Sequence, residues 1–152
     1  MKTYENEKAI YFDMDGTLGD FYNVEGWLEK LLNSDPYPYA AATPLHNFNE
    51  MISVLSQLQE AGYIVGIVSW LSKNGTPEYN KEVRQVKREW LNKYFPGFSF
   101  DEIHIVKYGT PKRKCVNYKG GILFDDEEKN RKSWHGRAYT PEKIMEILNS
   151  LL

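Results

Sequence analysis

The sequence predicts an α/β fold, a three-layer Rossmann-like sandwich whose central, mainly parallel sheet carries helices on both faces. Three observations predict it. Four short runs, 9–12, 63–68, 103–106 and 121–124, are nearly continuous in Ile, Val, Leu, Phe and Tyr, as strands covered on both faces require. Segments with apolar residues at helical spacing separate them. Polar groups then follow three of the runs directly: Asp13 with Asp15, Ser69, and Asp125 with Asp126. Open parallel sheets bind ligands beyond the carboxyl ends of their strands, so these residues form one candidate rim.

The elements follow in order from their residues. Ala9, Ile10, Tyr11 and Phe12 make the first strand. Residues 24–32 read as a short helix. The stretch Asp35, Pro36, Tyr37, Pro38, Tyr39 reads as a loop or lid, because two prolines oppose regular helix. Phe48, Met51, Ile52, Leu55 and Leu58 recur at helical spacing up to Gly62, a helix-ending residue. The second strand, 63–68, stops at Ser69. A long helix is expected over 78–94, with Val83, Val86, Trp90 and Leu91 inward and Pro96 and Gly97 just past its end. The third and fourth strands are 103–106 and 121–124. A last helix begins near Thr140 and Pro141, a capping Thr with Pro in the first turn, and carries Ile144, Ile147, Leu148 and Leu151.

Composition bounds the chemistry. A chain of 152 residues, 41% hydrophobic and 26% charged, is expected to form one domain over 1–152 with a substantial core. A net charge of −2 supplies no overall attraction to nucleic acid. The single cysteine, Cys115, excludes an internal disulfide and suits a reducing compartment. Residues 1–8 lack an apolar signal segment, and no apolar run reaches membrane-spanning length. The expectation is therefore a soluble, cytoplasmic protein with no membrane partner. His46, His104 and His135 lack zinc-site spacing and read as packing or surface residues.

The most informative segment is Asp13, Met14, Asp15, Gly16, Thr17. Residues two apart on extended chain point the same way, so Asp13 and Asp15 can converge just beyond the first strand. Gly16 then permits a sharp turn. Clustered carboxylates repel one another, and a hard divalent cation such as Mg²⁺, which often arrives with phosphate, relieves that repulsion. Taken alone, the five residues also suit a surface turn, so the case rests on distant partners. Their distant partners are Ser69, a lysine, and the pair Asp125, Asp126.

An aspartate pair written DxDGT after the first strand, a Ser after the second, a Lys between, and a DD pair after a later strand together resemble the four signature motifs of the haloacid dehalogenase-like (HAD) superfamily. The likeness spans nearly the whole chain from Ala9. It implies a Mg²⁺-dependent phosphatase that hydrolyses phosphomonoesters through an aspartyl-phosphate. In that reading Asp13 is the nucleophile, and Asp15 is the general acid and then the base. Asp13, Asp15 through its backbone carbonyl, and Asp125 hold the metal; Asp126 does so through water or as a supporting group. Ser69 bonds a phosphoryl oxygen, and a lysine neutralises the transferring charge. Lys112, after Pro111, is the first choice, with Lys107 and Lys114 as alternatives. Asn130 stands where related enzymes steady the metal loop, and Thr17 braces the turn.

Two departures bear on the substrate. Trp70 and Leu71 follow Ser69 where many relatives carry a small residue and sometimes an arginine, so those relatives' substrate contacts do not transfer. Only about residues 18–45 remain for a flap and cap, too few for a large cap domain. Within the superfamily such an open site serves large substrates or is closed by a second copy, a homo-oligomer. Phe21, Tyr22, Trp27, Tyr37 and Tyr39 crowd this segment, with Trp70 toward the same entrance. A nucleobase stacked on such a ring gains about 1–3 kcal/mol, and the opening MDGTLGDFY resembles small deoxyribonucleotidases of the superfamily. The small phosphorylated substrate is therefore read as a nucleotide before other phosphomonoesters, although the same aromatics suit the cap's own core. Two alternatives stay open. One is a phosphatase on nucleic-acid ends, favoured by the basic residues within 112–119 and 129–137; the other is a non-catalytic module that binds a phosphorylated partner.

Overall fold

The computed structural model describes residues 8–152, so the expectation for the segment before Lys8 lies outside the described residues. Five strands, β1 (Ala9–Phe12), β2 (Ile64–Trp70), β3 (Glu102–Val106), β4 (Ile122–Phe124) and β5 (Ala138–Tyr139), form one all-parallel sheet in the order β3-β2-β1-β4-β5. The expected fold class is the observed one. β1 lies at the centre with all four residues fully buried, which explains why its sequence has no polar alternation. Ile10 and Phe12 face the main core, while Ala9 and Tyr11 face a second cluster with Val116, Leu123 and Trp134.

Among the described residues six α-helices flank or cap the sheet: α1 (Trp27–Leu32), α2 (Tyr37–Ala41), α3 (Phe48–Glu60), α4 (Pro77–Tyr94), α5 (Glu128–Ser133) and α6 (Ile144–Ser150). Asn47 caps α3 by accepting a hydrogen bond from Glu50 N at 3.1 Å, and Thr76 caps α4 through Tyr79 N at 3.1 Å. Among the described residues, no helix is long and apolar enough to cross a membrane.

Three local expectations need correction. The Pro36–Pro38 stretch is not a plain loop, since Tyr37–Ala41 is helical. Both prolines sit at the start of α2, where a missing N–H costs no helical bond. The inner face of α4 includes Lys87 as well as Val86: Val86 is half-buried and packs against the cluster that holds Val83 and Ile105, and Lys87 is 1% exposed. α5 and β5 went unpredicted because α5 is short and polar and β5 has only two residues.

The chain runs outward from β1 through β2 to β3 and then returns to β4 on the other side of β1. The strand order therefore switches direction between β1 and β4. Such a switch opens a crevice at the carboxyl ends, and Asp13 and Asp125 are the residues placed there. Over that crevice lies a small cap carried on a narrow neck. The neck is tied by Asp20 N to Thr43 O at 2.7 Å and by Leu45 N to Leu18 O at 2.9 Å.

Candidate functional site

The turn after β1 is built by hydrogen bonds to one carbonyl. Met14 O accepts from Thr17, Leu18 and Gly19 N–H groups at 3.1, 2.9 and 3.0 Å, which folds the chain back over the strand end. Gly16 has φ +81°, and a Cβ there would run into the Asp126 carboxylate. Thr17, fully buried, donates through its hydroxyl to Asp13 Oδ2 at 2.9 Å and accepts from Asp126 N at 3.2 Å. It thus braces both acidic segments.

The end of β4 is held as firmly. Asp125 is fully buried; its Oδ1 accepts from Glu127 N at 2.9 Å and its Oδ2 from Asn130 Nδ2 at 3.2 Å. Arg131 donates to the Asp125 carbonyl at 2.9 Å, so α5 exists in large part to shape this loop. Lys112, 3% exposed, places its Nζ 2.7 Å from Asp13 Oδ1 and 2.7 Å from Asp125 Oδ2. Lys107 and Lys114 are exposed, and of the three candidate lysines only Lys112 lines the crevice.

Carboxylate oxygens of Asp13, Asp125 and Asp126 all lie within 4.8 Å of one another. Burial, followed by the Asp13 charge, pushes both Asp125 and Asp126 above the usual carboxylate range. For Lys112, burial works to lower the pKa, but the Asp13 and Asp125 charges outweigh it and hold the ammonium firmly charged. Three crowded carboxylates with one ammonium among them keep an excess of negative charge in a poorly hydrated place. Oxygen donors at this spacing could hold a metal ion.

Asp15 is turned away from that trio. Its Oδ2 lies 2.8 Å from Nζ of Lys87, a residue that reading the sequence passed over. Burial raises the Asp15 pKa; the Lys87 charge opposes this and the Asp13 charge adds to it. The metal-ligand expectation for Asp15 concerned its backbone carbonyl, and its carboxylate belongs to Lys87. Ser69 also departs from expectation. It is fully buried, its Oγ accepts from Lys87 Nζ at 2.7 Å, and it does not line the crevice. The cavity wall beyond β2 is instead made by Trp70 through Asn74. Lys87 could have been found from the sequence, because it lies four residues after Val83 on an otherwise apolar helix face.

Asp13, Asp15, Lys112, Asp125 and Asp126 open onto one cavity of about 420 Å³. One wall is the cap, where Phe21 packs with centroid separations of 4.7 Å to Tyr39, 5.1 Å to Tyr22 and 5.4 Å to Trp27. These rings form the cap's core and the cavity lining at once. Trp70 and Tyr108 also line the cavity; Trp70 lies 4.9 Å from Tyr108 and donates its indole N–H to Thr110 O at 2.8 Å. Tyr37 is 54% exposed and is absent from the lining.

Fold and site together define an α/β protein with an acidic, lysine-bridged crevice at the switch point of a parallel sheet. No protein-family model and no curated protein matches the chain.

Proposed function

We propose that the chain is a Mg²⁺-dependent phosphomonoester hydrolase of HAD type. The observation that carries this reading is the convergence of Asp13, Asp125, Asp126 and Lys112 at the floor of an aromatic-walled cavity. Asp13 is the nucleophile: its carboxylate oxygen bonds to phosphorus as the bond to the leaving oxygen breaks, giving an aspartyl-phosphate. Asp15 gives the leaving oxygen its proton, then takes one from the water that cleaves the aspartyl-phosphate and releases inorganic phosphate. Lys112, 2.7 Å from Asp13 Oδ1, would offset the negative charge that builds on the transferring group. The Asp13, Asp125 and Asp126 carboxylates would hold Mg²⁺, with the Asp15 carbonyl as the further ligand the resemblance implies. Bound there, the cation offsets repulsion between an anionic nucleophile and an anionic substrate.

The substrate class is a small phosphomonoester with a flat apolar leaving group, a nucleotide first. The cap rings and the Trp70–Tyr108 pair support this, since they give the cavity an aromatic lining on which a base could stack. A nucleic-acid end draws less support. Of the basic residues proposed to grip it, Arg131 is committed to Asp125 O, Lys119 donates to Arg113 O and Val116 O, and Lys132 pairs with Glu128 at 2.9 Å.

The test is phosphate release from an aryl phosphate by the purified chain. Release requires Mg²⁺ and disappears in Asp13→Asn with the fold intact by circular dichroism. Activity that survives this substitution, or persists in chelator, overturns the reading.

A further inference from the structure

Lys87 is the most expensive side chain in the molecule that the mechanism above leaves unused. Moving an ammonium out of water costs several kcal/mol, and burial is tolerated only when its donors are matched. They are matched here. Nζ donates to Asp15 Oδ2 at 2.8 Å, Ser69 Oγ at 2.7 Å and Trp70 O at 2.7 Å, which uses all three N–H groups. The Tyr39 ring lies 4.9 Å from the same nitrogen. A methionine would fill the same space on α4 without any of these requirements, so packing alone does not account for a lysine.

We propose that Lys87 is a positioning residue for proton transfer: it pins one carboxylate oxygen of Asp15 and leaves the other to exchange a proton with the leaving group. This rests on the phosphomonoesterase reading above. Three supports point the same way. Asp15 borders the cavity while Lys87 and Ser69 do not, so the lysine acts on substrate only through Asp15. The ammonium bridges from the end of β2 to the loop after β1, fixing the carboxylate to the rigid sheet rather than to its own turn. Ser69, fully buried and absent from the cavity lining, then belongs to the cradle of the lysine.

The experiment compares two substrates that differ in their need for a proton. A p-nitrophenolate leaves readily without one, whereas an alkoxide from an alkyl phosphate does not. Lys87→Met lowers kcat on the alkyl phosphate by about a hundredfold or more, the lower range for general acid catalysis. On p-nitrophenyl phosphate the loss stays under about tenfold, and KM and Mg²⁺ affinity stay near wild type on both. Lys87→Arg recovers part of the alkyl activity. Ser69→Ala, which removes one anchor of the ammonium, gives the same selective pattern in smaller degree and serves if Lys87→Met does not fold. In an Asp15→Asn background, Lys87→Met adds no further loss.

Equal losses on both substrates, a raised KM in Ser69→Ala, or additive losses in the double variant overturn the inference while Asp13→Asn still supports the reaction. A wild-type chain that releases phosphate from neither substrate overturns the reaction itself, and the inference with it.

Discussion

Lys112 Nζ lies 2.7 Å from Asp13 Oδ1, joining residues 99 positions apart in the sequence. The same nitrogen is 2.7 Å from Asp125 Oδ2, so one buried ammonium spans the two strand ends that flank the switch point. A charge in this position offsets the repulsion between two carboxylates.

Removal of that charge is expected to be severe. Lys112→Met lowers kcat by about 10²–10³-fold, the cost of deleting one preorganised donor to a developing charge. It also destabilises the chain by about 3–5 kcal/mol, because buried carboxylates lose their partner. Steady-state kinetics and denaturant unfolding measure the two effects, and a neutral result on kcat would exclude Lys112 from the chemistry.

The acidic cluster makes stability depend on pH with a definite sign. Asp125 and Asp126 have folded-state pKa values raised from 3.8, so above that value the unfolded chain binds fewer protons at these positions than the folded one. Stability from these groups therefore falls as pH rises from 3.8 through the raised values. In chelator, Tm declines from pH 5 toward pH 8. Asp126→Asn flattens that decline, and Mg²⁺ removes it by binding the ionised form. A decline unchanged by either would contradict the crowding of these carboxylates.

Gly16→Ala tests the turn. A left-handed φ costs a residue with Cβ about 1–2 kcal/mol, and here the methyl group also displaces the Asp126 carboxylate. Isothermal titration should show Mg²⁺ affinity reduced at least tenfold, a loss larger than backbone strain by itself produces.

Phe21→Ala tests the cap. Phe21 is 3% exposed and holds Tyr39, Tyr22 and Trp27 together, so its loss loosens the apolar wall. KM for nucleoside monophosphates should rise while Mg²⁺ affinity stays unchanged. An unaltered KM would separate the cap from substrate binding.

Much of the site was legible in the sequence because strand ends are local. Apolar runs of four to six residues declare buried parallel strands, and the residues just past them, Asp13, Asp15, Asp125 and Asp126, must emerge at one rim. Asn130 and Thr17 were also readable, since each acts within a short reach of those ends. Lys112 was reduced to a choice among three lysines, and only burial separated it from Lys107 and Lys114.

The sequence by itself determined the fold class, the order of the first four strands along the chain and the acidic rim, because hydrophobic period and turn chemistry are carried by neighbours a few residues apart. Tertiary structure alone decided which charge meets which. The placement of Lys87 against Asp15, 72 positions away, and the withdrawal of Ser69 from the cavity depend on how α4 lies against the end of β2. That packing is settled by burial and by the need to satisfy every donor of a buried ammonium, conditions that exist only once the chain has closed around it.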